Sequence, residues 1–422
     1  MPGAGRSILS MTATSHLSQV WFSVTDLEVA SGKGSWVTTV DGTEYLDFTS
    51  GIAVTSTGHA HPKVAAAIAE QATKFIHAQV NVYKHDLLEP LAQKLHELTP
   101  PSIDTFFYAS SGAEITEAAV KLAKQATKRP HVIVFAGSFH GRTHLAMAMT
   151  TSKTGYRAGH SPLPAGIFVA PFPEPLADDR DAEIDRCLAG FDHLLTSMTA
   201  PDETAAVIME PVLGEGGYIP APPRFFHGIV ERCKANGILF IADEVQSGFL
   251  RTGKMFAVDH YDVEPDIICM AKGIASGFPF AALGTTRALD SRWPKGSHGG
   301  TYTGNVLGCA AALATIEVLA EVGFADHVNA RGSQLRDGLA AIRAGDAGVT
   351  DVRGLGLMNA VQFADPARVA AIQRHCLDES RVILMNAGTY GTTLRLMPPL
   401  VVTADEVDTA VGAIAAAVKA TA

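Results

Sequence analysis

The sequence predicts an α/β fold, a mostly parallel sheet with helices on both faces, joined to a smaller α+β unit. Its length of 422 residues allows about two domains with a large shared core. Hydrophobic residues make up 47% of the chain and charged residues 18%, as in compact globular proteins. Between about residues 104 and 285, short apolar runs alternate with longer amphipathic stretches. This alternation is typical of parallel strands covered by helices on both faces.

The apolar runs of the middle of the chain are short and nearly continuous, as buried strands require. They are Thr105–Ala109, His131–Phe135, Ala205–Met209, Ile238–Ala242, Ile267–Met270 and Ala281–Gly284. The last hundred residues mix further runs with helices at about 366–379 and 404–419, and those runs are Met358–Phe363, Val382–Met385 and Leu394–Met397. Such a mixture predicts the smaller α+β unit.

Charge, cysteine content and hydropathy exclude several classes of function. The formal net charge is -10 and no basic stripe is present, so we expect no nucleic-acid partner. The longest apolar stretches are shorter than the ~20 residues of a membrane span, so we expect buried helices and no membrane partner. Five scattered cysteines without C-x-x-C spacing predict neither disulfides nor a metal site, and indicate a reducing compartment such as the cytoplasm.

Residues 1–16 contain no secretory signal and are expected to form a disordered leader, with Met11 as an alternative start.

Three polar residues follow predicted strands directly, at the points where those strands end. They are Glu210, Asp243 and Lys272. Each one alone would more often be a helix cap or a solvated loop residue. In open α/β sheets, however, ligands bind outside the carboxyl ends of the strands, where these three residues meet. Together they predict a functional site at that edge.

A helix start follows the strand that ends at Ala109. Ser110–Glu114 opens an amphipathic helix, and the free N–H groups and positive dipole of such a start can hold a phosphate. The alternative is an ordinary capping box between Ser111 and Glu114. No nucleotide-binding glycine motif is present. An aspartate, a lysine and one phosphate cradle suit pyridoxal 5′-phosphate, whose Schiff base forms on the lysine and whose ring nitrogen faces the aspartate.

From Trp36 to about Val411 the sequence resembles the class III (ω-type) aminotransferases of fold type I. Several segments carry the resemblance in the family's order: Tyr45–Phe48, Gly51–Val54, Gly58–Pro62, Phe139–Thr143, Glu210–Gly217, Ala242–Gln246, Gly299–Tyr302 and Gly304–Asn305. The separation of Asp243, Lys272 and Thr301, 29 residues at each step, also matches the family.

The resemblance implies a domain arrangement and an assembly. A large cofactor domain with a mostly parallel seven-stranded sheet would span residues 61–325. The small α+β domain would come from both chain ends, residues 17–60 and 326–422. The implied assembly is a homodimer with shared active sites, or a tetramer of such chains.

The resemblance also implies a set of cofactor-binding residues around the catalytic pair Lys272 and Asp243. Phe139 and Val245 would pack on the two faces of the cofactor ring, and Gln246 would hydrogen-bond its phenolic oxygen. Thr301 would reach the phosphate bound by the neighbouring subunit. The remaining expected cofactor-binding residues are Ser111, Gly112, Ala113, His140 and Glu210.

For substrate, the resemblance implies Arg142, Arg395, Glu215 and Ile52. Arg142 would hold a distal carboxylate and Arg395 an α-carboxylate, while Glu215 would mask Arg395 when a substrate has no α-carboxylate. A structural salt bridge is the alternative for each arginine. The implied reaction is amino transfer from an ω-amino acid such as 4-aminobutyrate to 2-oxoglutarate. Transamination of acetylornithine, ornithine or other ω-amines is the alternative, followed by a mutase, racemase or decarboxylase on the same fold.

Overall fold

The computed structural model describes residues 16–421. The leader predicted for residues 1–16 falls outside this range except for its last residue. The strands are β1 (Val29–Lys33), β2 (Trp36–Thr39), β3 (Glu44–Asp47), β4 (Thr105–Ala109), β5 (His131–Phe135), β6 (Ile167–Ala170), β7 (Thr204–Met209), β8 (Val212–Leu213), β9 (Ile219–Pro220), β10 (Leu239–Asp243), β11 (Ile267–Met270), β12 (Ala281–Thr285), β13 (Val349–Leu355), β14 (Met358–Phe363), β15 (Val382–Ile383), β16 (Met385–Ala387) and β17 (Thr393–Leu396).

The helices pack on both faces of the central sheet and also occur in the segments near both ends of the chain. They are α1 (Ser50–Ala53), α2 (Pro62–Lys74), α3 (Leu88–Leu98), α4 (Gly112–Thr127), α5 (His144–Met149), α6 (Arg180–Ser197), α7 (Pro223–Asn236), α8 (Arg287–Asp290), α9 (Val306–Leu319), α10 (Phe324–Gly345), α11 (Pro366–Ser380) and α12 (Ala404–Ala420). Short 3-10 turns lie at Thr154–Tyr156, Ala257–His260 and Lys272–Ala275.

The central sheet has seven strands in the order β4-β12-β11-β10-β7-β5-β6. Its neighbours run parallel from β11 through to β6, whereas β12 runs antiparallel to both β11 and β4. The predicted mostly parallel sheet is therefore confirmed. Sequence reasoning missed β6, a four-residue edge strand whose partly exposed side chains give only a short apolar run.

Burial on both faces explains why these runs form strands. All side chains of β7, β11 and β12 are buried. Helix α4 packs its apolar face on β11, β12 and β7, with Ile115, Ala119 and Leu122 fully buried. Burying a large aliphatic side chain contributes about 2 kcal/mol, so this face anchors the helix whose first turn opens at the site.

The two chain ends meet in one small sheet, because β15 pairs in parallel with β3 in the order β1-β2-β3-β15. A second sheet has the order β13-β14-β17-β16. The predicted α+β unit built from both ends is confirmed. The run Val382–Met385 does not form one strand as predicted, because it divides between β15 in the first sheet and β16 in the second. The boundary predicted at residue 326 falls inside α10.

Within residues 16–421, no single helix is long and apolar enough to cross a membrane; Val306–Leu319 and Phe324–Gly345 meet that test only as a pair bent by 74°. In the same range, no group of three His, Cys, Asp or Glu side chains is arranged to hold a metal ion.

Candidate active site

A cavity of about 560 Å³ opens at the carboxyl edge of the central sheet. It brings together twelve of the side chains that the sequence indicated: Ser111, Gly112, Ala113, Phe139, His140, Arg142, Glu210, Glu215, Asp243, Val245, Gln246 and Lys272. Three others, Ile52, Thr301 and Arg395, do not line it. Residues separated by up to 161 positions, from Ser111 to Lys272, thus share one cavity because their strands end side by side.

The start of α4 forms one wall of the cavity. Ser111 caps the helix by accepting the Glu114 N–H at 3.3 Å, while the Glu114 carboxylate accepts the N–H of Ser110, one residue before the cap, at 2.9 Å, so the side-chain cap is present without the reciprocal bond of a capping box. The same geometry leaves the N–H groups of Gly112 and Ala113 without intrahelical acceptors. A Cβ at Gly112 would lie 2.9 Å from Val245, which favours glycine here. The cap and the phosphate cradle are therefore compatible.

A buried carboxylate and imidazole pair forms a second wall. Asp243, at the end of β10, accepts the Val245 N–H at 3.1 Å with one oxygen. Its other oxygen lies 2.6 Å from Nδ1 of His140. Burial lowers the His140 pKa, but the hydrogen bond and charge of Asp243 and the charge of Glu210 outweigh burial and raise it. The contact with the His140 imidazole holds the Asp243 carboxylate in place at the edge of the cavity.

Glu210, which follows β7, holds the backbone of two loops. Its oxygens accept the N–H groups of Phe139 at 2.7 Å and of Gly214 at 2.8 Å. Burial raises the Glu210 pKa to about 7, against the lowering effects of His140 and of these backbone donors. The structure thus gives Glu210 a positioning contact, and direct binding of a cofactor by this residue stays a prediction.

Lys272 begins the 3-10 turn after β11, with φ of 46°. Left-handed backbone is unfavourable for a side chain of this kind, and such strain is concentrated at functional sites. The residue is half-buried in the cavity. Desolvation lowers its pKa to about 8, although the charge of Glu215 opposes this. Near neutral pH, a larger fraction of Lys272 is therefore a neutral amine than for an ordinary lysine.

The remaining polar atoms of the cavity include acceptors and donors without protein partners. Oε1 of Gln246 and Nε2 of His140 are buried and have no hydrogen-bond partner in the described range. Phe139 and Val245 supply apolar surface beside them. A nucleophilic amine, a fixed carboxylate, unpartnered polar atoms and a helix start in one cavity fit pyridoxal 5′-phosphate.

Arg395 on β17 lies behind the cavity and pairs with Glu215, with Nη1 of the arginine against Oε1 of the carboxylate. The exposed fractions of the two residues are 2% and 7%. Burial would raise the Glu215 pKa, but the Arg395 guanidinium, with Lys272 and Lys153, lowers it. Burial would lower the Arg395 pKa, but the Glu215 charge raises it. Both groups are therefore ionised and hold each other.

Arg142 is arranged differently. It is exposed and lines the cavity, and its guanidinium lies 5.8 Å from the centre of the Tyr156 ring. The ion pairs found in residues 16–421 include none for Arg142. It is thus open to a carboxylate from outside the chain, as the sequence suggested.

Sequence reasoning missed Tyr156 and Val54. Tyr156 donates to Oε2 of Glu215 at 3.1 Å, and its ring meets Phe139 edge-on at 5.2 Å. It lies 59 residues from Glu215 in a short turn without a recognisable motif. Val54 lines the cavity where Ile52 was expected, because the left-handed turn α1 directs the chain so that Ile52, with φ of 68°, is exposed.

Comparison with known proteins places this site in a family. The model of the family "Aminotransferase class-III" matches residues 18–418. The chain is 40% identical to the 5-aminovalerate aminotransferase DavT of Pseudomonas putida, with 88% of each chain covered. It is 38% identical to the 4-aminobutyrate aminotransferase GabT of Escherichia coli, with 86% of each covered.

A solved structure agrees in overall fold. An amine transaminase from an uncultivated Pseudomonas species, determined with pyridoxal phosphate bound, superposes with a TM-score of 0.87 at 27% identity, covering 100% of both chains. Its bound cofactor is the one that the cavity fits. The chain therefore belongs to the class III aminotransferases, which are pyridoxal-phosphate-dependent enzymes that act on amino acids and keto acids.

Proposed function

We propose that this enzyme transfers the amino group of an ω-amino acid, with 4-aminobutyrate as the preferred donor, to 2-oxoglutarate. The products are succinate semialdehyde and glutamate. The observation that carries the proposal is the contrast between the two arginines. Arg142 is open to the cavity, whereas Arg395 is buried and masked by Glu215. One open arginine suits a donor that has a single carboxylate.

Different residues of the cavity have different roles in the proposed reaction. When bound, pyridoxal phosphate supplies an electrophilic carbon and an electron sink. Lys272 would hold the cofactor, and its amine would take and return the proton at the substrate carbon. Asp243, which lies 2.6 Å from Nδ1 of His140, would stabilise positive charge on the ring nitrogen. The start of α4 would hold the phosphate, and Gln246, Phe139 and Val245 would orient the ring.

Two substrates of different charge must use the same cavity in turn. An ω-amino acid has no carboxylate beside its reacting amine, so Arg395 needs Glu215 as its partner during that half-reaction. Leaving a buried charge unpaired costs about 3–5 kcal/mol. Glutamate and 2-oxoglutarate carry an α-carboxylate that can replace Glu215 at Arg395. The ion pair therefore works as a switch between the two substrate classes.

Both curated relatives described above are named for ω-amino acids with one carboxylate, which supports this donor class. 4-Aminobutyrate and 5-aminovalerate differ by one methylene, and acetylornithine or ornithine would present an additional polar group. Single-turnover rates measured with each of these donors, with conversion of the cofactor monitored by its absorbance, test the proposed preference for 4-aminobutyrate. Faster conversion by acetylornithine or ornithine than by 4-aminobutyrate would overturn the proposed donor.

Glu215→Gln is expected to separate the two substrate classes. The amide cannot neutralise Arg395, so the only carboxylate of 4-aminobutyrate is drawn to the wrong arginine and its single-turnover rate falls about 10- to 100-fold. Glutamate, which uses both arginines, keeps its rate. The measurement is the single-turnover rate with each donor.

Asp346→Asn provides a matched control, because it breaks a half-buried pair with Arg368 away from the cavity. Its effect should be equal for both donors. Equal losses for 4-aminobutyrate and glutamate in Glu215→Gln would show that Glu215 is structural and that the switch does not exist.

We also infer a homodimer in which each chain completes the phosphate site of the other, in the cytoplasm. Thr301 is exposed and lies outside the cavity of its own chain. The adjacent Tyr302 is 65% exposed and packs on His77 with ring centres 5.3 Å apart, so an exposed aromatic side chain lies beside Thr301. The five cysteines are buried and free, as in proteins of reducing compartments.

Thr301→Ala is expected to weaken cofactor retention by about tenfold, because one hydrogen bond to a charged phosphate is lost. Retention is measured by dialysis and cofactor release. Thr301→Ser keeps the hydroxyl and should retain the cofactor as the parent does. In mixed dimers of Thr301→Ala with Lys272→Ala chains, the loss should appear in the site of the opposite subunit. A fully active monomer at low concentration would contradict the shared site.

A further inference from the structure

Tyr156 links three parts of the active site through one side chain. Its hydroxyl donates to Oε2 of Glu215 at 3.1 Å, while the other oxygen of that carboxylate pairs with Arg395. Its ring meets Phe139 edge-on, with an interplanar angle of 74°. The Arg142 guanidinium lies over the same ring at 5.8 Å. Tyr156 therefore contacts both Glu215, which masks Arg395, and Arg142, which is open to the cavity.

Glu215 lies among several cations that compete for it. Arg395 is in contact, and the charges of Lys272 and Lys153 also act on the carboxylate. The Lys153 ammonium is half-buried, and none of the hydrogen bonds or ion pairs in the described chain involves it. Arg395 donates to Oε1 of this carboxylate, whereas Lys272 and Lys153 act on it through charge, which has little directional preference and does not fix Oε2. A hydrogen bond to a defined oxygen does fix it.

We propose that Tyr156 is a positioning residue whose hydroxyl holds Glu215 on Arg395 and so sets the balance between substrates with one carboxylate and substrates with two. The hydroxyl occupies Oε2, so that Oε1 faces the guanidinium and Lys272 stays free for chemistry. The inference rests on the proposed function, since it concerns the same switch. It adds the residue that determines how readily the switch opens.

The phenol of Tyr156 is suited to positioning Glu215 because it stays protonated. Burial raises the pKa of Tyr156 to about 12, and the negative charge of Glu215 adds to this effect. The hydroxyl is therefore a donor throughout the working range of pH. Phenylalanine at this position would keep the ring contacts with Phe139 and Arg142 and lose only the donor.

The experiment measures binding of two unreactive acids to the holoenzyme by calorimetry. Glutarate carries two carboxylates and must displace Glu215, whereas pentanoate carries one and needs only Arg142. With Tyr156→Phe, Glu215 leaves Arg395 more easily, so the Kd for glutarate relative to that for pentanoate should fall about tenfold, the loss expected for one hydrogen bond to a charged group. In the same variant, kcat/KM should fall for 4-aminobutyrate and KM should fall for 2-oxoglutarate.

Tyr261→Phe is the matched control, because it removes the hydroxyl of a buried tyrosine outside the cavity, which donates to the Ala221 carbonyl oxygen at 2.9 Å. It should lower the melting temperature and leave the ratio of the two dissociation constants unchanged. Adding Tyr156→Phe to Glu215→Gln should produce no further change of that ratio. An unchanged ratio in Tyr156→Phe, or an equal change in the Glu215→Gln background, would overturn the positioning role.

The two proposals fail in different ways. If the wild type converts no ω-amino acid but Tyr156→Phe still changes the acid-binding ratio through Glu215, the proposed donor is wrong and the positioning role holds. If Glu215→Gln leaves the ratio unchanged, no switch exists, and the role of Tyr156 falls with it. Normal ω-amino acid turnover with an unchanged ratio in Tyr156→Phe removes the positioning role alone.

Discussion

Lys272→Ala is expected to lower amino transfer by at least ~1000-fold, because the variant lacks both the nucleophile and the proton-transfer base. Lys272 lines the cavity, and desolvation brings its pKa to about 8. Among the described residues 16–421 that line the cavity, Lys272 is the one that carries an amine, so none of the other lining residues can replace it. The measurement combines single-turnover rates with borohydride reduction and intact mass, which reports covalently attached cofactor.

Lys153→Ala is the control for this prediction. Lys153 acts on Glu215 through its charge but does not line the cavity. After borohydride reduction, Lys153→Ala should carry the cofactor mass, and Lys272→Ala should not. Covalent cofactor on Lys272→Ala, or substantial residual turnover in it, would mean that another amine performs the reaction.

Much of the fold could be predicted from sequence because buried strands have apolar sequences that can be recognised without the structure. β4, β5 and β11 coincide with the predicted runs, since strands buried on both faces admit few polar residues. β6 was missed although its four residues are apolar, because it is a short edge strand with an exposed Val169 and its run did not stand out from the loops around it. The division of Val382–Met385 between two sheets depends on pairing with β3, more than 330 residues earlier, which no local pattern reports.

The site was predictable where its residues follow strands and unpredictable where its contacts are tertiary. Asp243 and Lys272 end neighbouring parallel strands, so topology alone brings them together. The hydrogen bond between Tyr156 and Glu215 depends on how a loop folds back over the cavity. The position of Val54 in place of Ile52 depends on a left-handed turn, which glycine at position 51 hints at but does not specify.

Asp243→Asn is expected to retain cofactor but to lose about 10- to 1000-fold in single-turnover rate. An adjacent carboxylate raises the pKa of a cation by about 1–3 units, and each unit is a tenfold change in the protonated fraction. The neutral amide can still accept the Val245 N–H, so the backbone contact at 3.1 Å is preserved. The loss should therefore come from electrostatics at the ring nitrogen and not from misfolding.

The control and a second measurement distinguish this explanation from a general loss of stability. Asp266→Asn changes a partly buried carboxylate, which accepts the Phe240 N–H at 2.8 Å and precedes β11 at the opposite edge of the sheet. It should leave the rate per bound cofactor unchanged. In Asp243→Asn, the His140 pKa followed by NMR should fall, because the Asp243 charge and hydrogen bond raise it in the parent. A near-normal rate together with a lowered His140 pKa would show that Asp243 acts only on His140, by raising its pKa, and that another residue faces the ring nitrogen.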